Sequence, residues 1–162
     1  MNFVPILQLL VLLAIANSAP IAAKRLLHER FSYPLDGGVV FLDGRPLFGP
    51  SKTIRGIVSA VLVTSLCAPL IGVEWRTGTL IAIVAMGGDL FSSFVKRRMK
   101  LPTSAKATGL DQVPESLFPA VACKNLLSLS VMDILACTLV FFVSEVILAR
   151  VFYKLHFRDR PY

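Results

Sequence analysis

Long apolar runs alternate with polar, glycine-rich or basic segments along this chain. The first three runs cover residues 3–23, 56–73 and 79–95. The last run, residues 113–152, is too long for one membrane-spanning helix, and polar residues interrupt it at 124–133. Because a spanning helix needs about 20 mostly apolar residues, the pattern predicts five spans, of which the fourth is the shortest.

The first run ends in small residues, Ala16 to Ala19, a feature that it shares with secretory signal peptides. A signal peptide begins with a positively charged segment, whereas no Lys or Arg precedes this run. Apolar residues also continue beyond the small residues as far as Ala23. We therefore interpret the run as a permanent span.

The composition fits a membrane protein. Hydrophobic residues make up 55% of the 162 residues, which exceeds what a soluble domain of this size needs to fill its core. The chain shows no internal repeat and no linker that would separate a second domain. We predict an all-α integral membrane protein with about five transmembrane helices and two cytoplasmic polar loops, built as a single membrane-embedded domain over residues 1–162.

The distribution of charge predicts the orientation. The formal net charge is +7, and nearly all Lys and Arg residues lie in the two long loops or in the tail from residue 153 onward. Basic blocks that flank apolar runs face lipid headgroups or phosphates, so we predict no nucleic-acid partner. By the positive-inside rule, both long loops and the C-terminus face the cytoplasm and the N-terminus faces out, in a multi-pass protein of the cell membrane.

The cysteine and histidine residues do not indicate a metal site. Cys67, Cys123 and Cys137 lie within apolar runs, without a Cys-x-x-Cys spacing or neighbouring His residues. We predict that they are packing residues. His28 and His156 lie in basic stretches beside the membrane, and we expect both to face headgroups.

The first polar loop ends in a run that suits phosphate binding, Gly49 to Gly56. Glycine lets a backbone approach an anion closely, and a helix N-terminus adds N–H groups with partial positive charge. Lys52 and Arg55 supply full charges. An ordinary turn with Ser51 or Thr53 as helix N-cap accounts for the composition equally well. The run is not a Walker A loop, which has Gly directly before its Lys.

The third span carries a carboxylate, Asp89, inside a run otherwise suited to lipid. An ionisable residue within a span usually faces a cavity or a partner and has a function. Asp89, a serine at 92 or 93, and Lys96 follow helical spacing, so they form one polar stripe toward the cytoplasmic edge. The Lys-Arg-Arg run that starts at Lys96 could be a topological anchor, but together with Asp89 it favours phosphate binding.

Asp111 lies in the second loop, just before Pro114 and Glu115 at the start of the predicted fourth span. Proline and acidic residues are favoured in the first turn of a helix, so helix capping alone accounts for these residues. The functional interpretation is that Asp89 and Asp111 converge as oxygen ligands of Mg²⁺ bound between the protein and nucleotide phosphates. Both interpretations stay open at this point.

The last two predicted spans contain further polar residues. We expect Lys124 and Asp133 near the outer interface, and Glu145 deeper, where it pairs across helices or lines a cavity. The pattern assigns no chemical role to Glu115 or Glu145, and it assigns no oligomeric state.

Three segments carry the most specific pattern in the chain: Gly-Pro-Ser-Lys-Thr-Ile-Arg-Gly at 49–56, Gly-Asp-Leu-Phe-Ser-Ser-Phe-Val-Lys-Arg-Arg at 88–98, and Leu-Asp-Gln at 110–112. Together they resemble the small five-span CDP-archaeol synthase family of membrane CTP-dependent lipid cytidylyltransferases. Similar elements occur in the larger phosphatidate cytidylyltransferases. The resemblance implies a nucleotidyltransferase of phospholipid biosynthesis that uses CTP, Mg²⁺ and a lipid phosphate, and that releases a CDP-lipid and pyrophosphate.

The resemblance also implies roles for individual residues. The Mg²⁺ ligands would be Asp89 and Asp111. The implied catalytic set is Lys52, Asp89, Lys96, Arg97 and Asp111. The implied nucleotide-binding set is Gly49, Ser51, Lys52, Thr53, Arg55, Gly56, Lys96, Arg97 and Arg98.

Two alternatives to a CDP-archaeol synthase follow from the sequence. Residues 113–116 and the C-terminal Arg-Asp-Arg-Pro-Tyr depart from the archaeal pattern, so the lipid could be an ester-linked phosphatidate, as in a phosphatidate cytidylyltransferase. The alternative from another class is a small membrane transporter or lipid flippase, in which Asp89 belongs to an ion or substrate pathway. Such transporters tend to have repeated halves, whereas the polar residues here gather on one side.

Overall fold

The structure is a computed structural model that describes residues 2–103, 105 and 107–154, with side chains up to residue 148. Most of the predicted basic tail, residues 155–162 with His156, lies outside the described residues.

The described residues form an all-helical protein, as predicted. Five α-helices and one short 3-10 helix follow each other along the chain, and two isolated antiparallel bridges lie in the first loop. The α-helices are α1 (Phe3–Leu27), α2 (Ile54–Cys67), α3 (Trp75–Arg98), α4 (Gln112–Ala122) and α5 (Val131–Lys154), and the 3-10 helix (Ala68–Ile71) extends α2.

Four of these elements are long and apolar enough to cross a membrane: α1, α2 with its 3-10 extension, α3 and α5. The fourth helix, α4, has only 11 residues, which rise by about 16 Å. Turns at residues 123–128 join α4 to α5, and α4 by itself is not among the candidate spans. This agrees with the prediction that the fourth span is the shortest, because its polar residues break the helix.

Hydrogen bonds show which segments share one end of the bundle. The backbone N–H of Asn2 donates to Asp133 Oδ1 over 3.2 Å, which joins the start of α1 to the start of α5. Gln8 Nε2 donates to the carbonyl of Ile71 over 2.8 Å, beside the turn between α2 and α3. We call this the N-terminal end. Both long loops lie at the opposite end, the loop end, because each follows an odd-numbered crossing.

Helix α3 is the central helix of the bundle. It packs against α1, α2 and α4, and 44% of its most apolar window is buried, compared with 22–33% for the other three candidate spans. Cys123 and Cys137 belong to the buried core cluster, so both pack as predicted, and Cys67 is half-buried. Because α3 packs against most of the other elements, residues from several parts of the chain can meet on it.

Two of the helices, α1 and α3, are longer than their apolar runs. The predicted first span stops at residue 23, but α1 continues to Leu27 through Lys24 and Arg25. Likewise, α3 continues to Arg98 through three basic residues. Cations are favoured in the last turn of a helix because they interact with its C-terminal dipole. The end of an apolar run therefore does not mark the end of the helix in α1 and α3.

Candidate active site

The segment before α2 is held by backbone pairing with an earlier part of the first loop. The N–H of Leu35 donates to the carbonyl of Lys52 over 2.7 Å, and the N–H of Ile54 donates to the carbonyl of Tyr33 over 3.1 Å. Thr53 is the N-cap of α2, and its Oγ1 accepts the N–H of Gly56 over 3.2 Å. Of the two N-cap candidates in the sequence, Ser51 and Thr53, the structure uses Thr53. The backbone pairing with residues 33 and 35 fixes the position of the neighbouring Lys52.

Lys52 and Asp89 form an ion pair that joins the first loop to α3. Lys52 Nζ lies 2.5 Å from Asp89 Oδ2, and the two side chains are 23% and 27% exposed. At this partial burial both charges remain accessible from the cleft while much of their surface is removed from water. Two residues that are 37 positions apart therefore form one charged unit at the loop end.

A second ion pair joins α3 to the start of α4. Lys96 Nζ lies 2.7 Å from Asp111 Oδ1, and the Lys96 side chain is only 9% exposed. Asp111 Oδ2 accepts the N–H of Ala107 over 3.0 Å, and Lys96 also donates to the carbonyl of Ala105 over 3.0 Å. Asp111 stands at the N-cap position of α4, but its side chain makes no capping hydrogen bond there. Capping therefore does not explain this carboxylate.

A close crossing of α3 and α4 brings the two ion pairs toward each other. A Cβ atom added at Gly88 would lie 2.5 Å from the carbonyl oxygen of Pro114, so only glycine allows this approach. One turn further along α3, Ser92 Oγ donates to the carbonyl of Leu110 over 2.6 Å. Asp89 directly follows Gly88 on α3, and Asp111 directly follows Leu110 before α4. Each carboxylate is thus the sequence neighbour of a residue that makes the crossing.

Glu115 is a third carboxylate at the crossing. Its electrostatic environment includes Asp89, Glu145, Lys52 and Asp111. The sequence left Glu115 and Glu145 without roles. A signal for Glu115 was available, because it lies four residues after Asp111, one helical turn away on the same face.

The three predicted phosphate-binding arginines contact the protein's own loops. Arg55 Nη1 donates to the carbonyls of His28 and Arg30. Arg97 Nη2 donates to the carbonyl of Pro102 over 2.7 Å. These two side chains hold the end of α1 and the start of the second loop. Sequence reasoning missed these partners because every residue has a backbone carbonyl, so such contacts leave no sequence signal.

Arg98 contacts the first loop through both of its terminal nitrogens. Its Nη1 lies 2.8 Å from Asp43 Oδ1, and its Nη2 donates to the carbonyl of Pro46 over 2.7 Å. The guanidinium carbon lies 4.7 Å and 5.0 Å from the ring centroids of Phe41 and Phe94. In this structure the Arg98 guanidinium therefore contacts the first loop and two aromatic rings, and its predicted role in nucleotide binding stays a prediction.

A cleft with an empty volume of about 680 Å³ opens beside the first ion pair. Five of the predicted nucleotide-binding residues, Ser51, Lys52, Thr53, Arg55 and Gly56, line it together with Asp89. The other predicted site residues lie outside its lining: Gly49, Lys96, Arg97, Arg98 and Asp111. The cleft thus presents cations, a helix N-terminus and a carboxylate together, an arrangement that can bind a phosphate chain and a divalent cation.

Comparison with known proteins shows the family of this chain. The sequence profile described as CarS-like: CDP-archaeol synthase matches residues 70–162, more than half of the chain. CDP-archaeol synthase of Sulfurisphaera tokodaii is 33% identical over 135 residues, which cover 80% of this chain and 81% of the relative.

Other curated relatives match over a shorter segment. CDP-archaeol synthase of Hyperthermus butylicus is 39% identical over 104 residues, 60% of this chain and 59% of the relative. That of Pyrococcus furiosus is 38% identical over 107 residues, 60% of each chain. In these two cases the match spans about three fifths of the relative.

The fold is also similar to that of a solved structure described as an intramembrane enzyme for archaeal membrane lipids biosynthesis. The two chains superpose with a TM-score of 0.72 at 27% sequence identity, over 87% of this chain and 90% of the other. The similarity therefore extends over most of the chain. On the profile, the relatives and the fold together, this chain belongs to the CDP-archaeol synthase family.

Proposed function

We propose that this protein transfers CMP from CTP to the phosphate of an archaeol-type lipid, and that the loop-end cleft is the active site. The observation that carries the proposal is the Lys52–Asp89 ion pair at the base of the cleft. It places a phosphate-binding cation and a metal-binding carboxylate at one point, next to the N-terminus of α2. A cation and a carboxylate are both needed to bind a nucleoside triphosphate together with its metal ion.

The proposed reaction is a direct displacement. A phosphate oxygen of the lipid attacks the α-phosphorus of CTP, the bond to the bridging oxygen of the β-phosphate breaks, and pyrophosphate leaves. The products are a CDP-lipid and pyrophosphate, with no covalent intermediate on the protein. A phosphate monoester is largely ionised near neutral pH, so the attack needs no general base.

Charge neutralisation is the main task of the protein in this reaction, because two anions must approach each other. Lys52 in the cleft and Lys96 behind it supply full positive charges within reach of the two carboxylates. The N–H groups at the start of α2 add partial positive charge. Preorganised charges of this kind stabilise the negative charge that develops on the transferred group.

The carboxylates fit a magnesium ion. Mg²⁺ is usually bound by one or two carboxylates together with substrate phosphates and water, and Asp89 and Asp111 provide two carboxylates that already hold cationic ammonium groups. No three metal-binding side chains converge within the described part of the chain, so we do not propose a closed protein cage. When bound, the ion would withdraw charge from the phosphates of CTP.

An apolar groove beside the cleft supports a lipid substrate. Its empty volume is about 770 Å³, and it shares Arg55 with the cleft. It is lined on the α1 side and the α2 side by Ala23, Leu27, Phe31, Tyr33, Ile54, Arg55, Val58, Ser59 and Leu62. A hydrocarbon chain in this groove would leave its phosphate at the cleft. We place the loop end on the cytoplasmic side, where CTP is available, in agreement with the basic loops.

The proposed function is tested by incubating purified protein with radiolabelled CTP, Mg²⁺ and a set of lipid phosphates. The set contains an ether-linked isoprenoid phosphate and an ester-linked phosphatidate. Lys52→Ala is expected to lower kcat/KM by about 100-fold, the effect of removing one preorganised charge.

The matched control is Lys124→Ala, because Lys124 is exposed and lies between α4 and α5, away from the cleft. This variant should retain the parental rate. If no lipid phosphate yields a labelled CDP-lipid, the enzyme proposal is wrong and a transport role has to be tested. A product from phosphatidate alone would instead make the protein a phosphatidate cytidylyltransferase.

A further inference from the structure

Asp36 is a buried carboxylate in a loop that is otherwise largely exposed. Only 8% of the residue is accessible. Its Oδ1 accepts the N–H of Gly38 over 3.1 Å. Its Oδ2 accepts two further N–H groups, from Phe48 over 3.0 Å and from Gly49 over 2.9 Å. The carboxylate therefore joins two parts of the first loop that are 12 or 13 residues apart.

These bonds fix the backbone that leads to Lys52. Gly49 has φ +96°, a conformation that glycine adopts easily, and its carbonyl accepts the N–H of Lys52 over 3.2 Å. The carbonyl of Lys52 in turn accepts the N–H of Leu35, the residue next to Asp36. The turn 49–52 is thus bound at both of its ends to residues 35 and 36.

The carboxylate is ionised at neutral pH. Burial opposes ionisation, but the N–H groups of Gly49, Phe48 and Gly38 outweigh it and hold the pKa of Asp36 below its usual range. Hydrogen bonds to an ionised acceptor are roughly twice as strong as neutral ones. Asp36 is therefore a firm attachment point for this turn.

We propose that Asp36 is a positioning residue of the active site, which holds the turn 49–52 so that the ammonium group of Lys52 stays at the cleft. The inference rests on the proposed function for its effect on catalysis. Asp36 does not line the cleft, so it acts through Lys52 and does not contact the nucleotide. The alternative is that Asp36 only stabilises the fold of the loop.

The first test is Asp36→Asn. An amide keeps the shape of the side chain but has only one acceptor oxygen, so at least one of the three N–H groups loses its partner. We expect KM for CTP to rise about tenfold, the ratio that corresponds to one lost hydrogen bond to a charged acceptor. KM for the lipid phosphate and kcat should change by less than about twofold.

A second variant, Asp36→Ser, distinguishes the hydrogen bond from Gly38 from the two hydrogen bonds from Phe48 and Gly49. A serine hydroxyl can still accept the N–H two residues ahead, at Gly38, but it is too short to reach Phe48 and Gly49. It should raise KM for CTP at least as much as Asp36→Asn does. Glu29→Gln, an exposed carboxylate of the same loop, is the matched control and should leave both KM values unchanged.

A double-mutant cycle distinguishes positioning from general stabilisation. In the Lys52→Ala background, Asp36→Ser should lower kcat/KM for CTP by less than about twofold, because the ammonium group that Asp36 is proposed to position is absent. Equal costs in both backgrounds would overturn the proposal.

A measurement without turnover keeps this inference separate from the proposed function. The rate at which an amine-reactive acylating reagent modifies Lys52 is followed by mass spectrometry, with exposed Lys124 as the internal reference. Release of the turn by Asp36→Ser, which removes the acceptor of Phe48 and Gly49, should raise the Lys52 rate at least threefold relative to Lys124. An unchanged ratio would overturn the positioning role, whether or not the parent protein makes a CDP-lipid.

Discussion

The variant Asp89→Asn is expected to lower CDP-lipid formation by roughly 1,000-fold, because this carboxylate serves two parts of the proposed mechanism. It is the partner of Lys52 at 2.5 Å and the proposed magnesium ligand within the cleft. Asparagine has nearly the same volume, so the fold should be preserved. A 1,000-fold loss corresponds to about 4 kcal/mol of transition-state stabilisation, which a misplaced cation and a weakened metal site would share about equally.

The measurement is kcat/KM for CTP at several Mg²⁺ concentrations, together with binding of Mn²⁺ as a spectroscopic substitute. A suitable control is Glu74→Gln, because Glu74 precedes the other end of α3 and its side chain is 61% exposed. The control should keep full activity. If Asp89→Asn retained more than a tenth of the parental kcat/KM, Asp89 would not be a metal ligand in the reaction.

The variant Gly88→Ala is expected to separate α3 from α4 and to abolish most activity. The new Cβ would lie 2.5 Å from the carbonyl oxygen and 2.6 Å from the carbonyl carbon of Pro114. These are backbone atoms, so no side-chain rotation relieves the clash. Overpacking of this kind costs about 1–3 kcal/mol, and for a chain of this size it lowers Tm by several degrees.

The neighbouring glycine gives a matched control on the same helix. A Cβ added at Gly87 meets no atom within 4 Å, and alanine favours a helix over glycine by up to about 1 kcal/mol. Gly87→Ala should therefore keep its activity and unfold at the same or a higher temperature in detergent. Equal effects of the two substitutions would mean that the close crossing at Gly88 does not determine the site.

Sequence reasoning located the helices because membrane insertion depends on local composition. A run of apolar residues partitions into lipid wherever it lies in the chain, so the runs at 3–23, 56–73 and 79–95 are each close to a helix of the structure. The prediction was weakest at helix ends, since Lys24 and Arg25 continue a helix without being apolar.

Candidate chemistry was also visible in the sequence wherever a residue type was unusual for its surroundings. For this reason Asp89, within an apolar run, and Lys52, within a glycine-rich run, were predicted as site residues. Their pairing was not visible, because it depends on how the first loop folds back over α3. Asp36 was not predicted as a site residue, because an acidic residue in a polar loop is expected to be exposed to water and only the structure shows that it is buried.

The sequence by itself determined that this protein lies in a membrane, which segments cross it and which residue types are available for phosphate and metal. Tertiary structure alone decided how those residues are used: which lysine pairs with which carboxylate, which arginines bind loop carbonyls, and why Gly88 but not Gly87 must be glycine. The physical reason is that hydrophobicity and charge belong to a residue, whereas contacts, burial and close approach belong to pairs of residues that are distant in the chain.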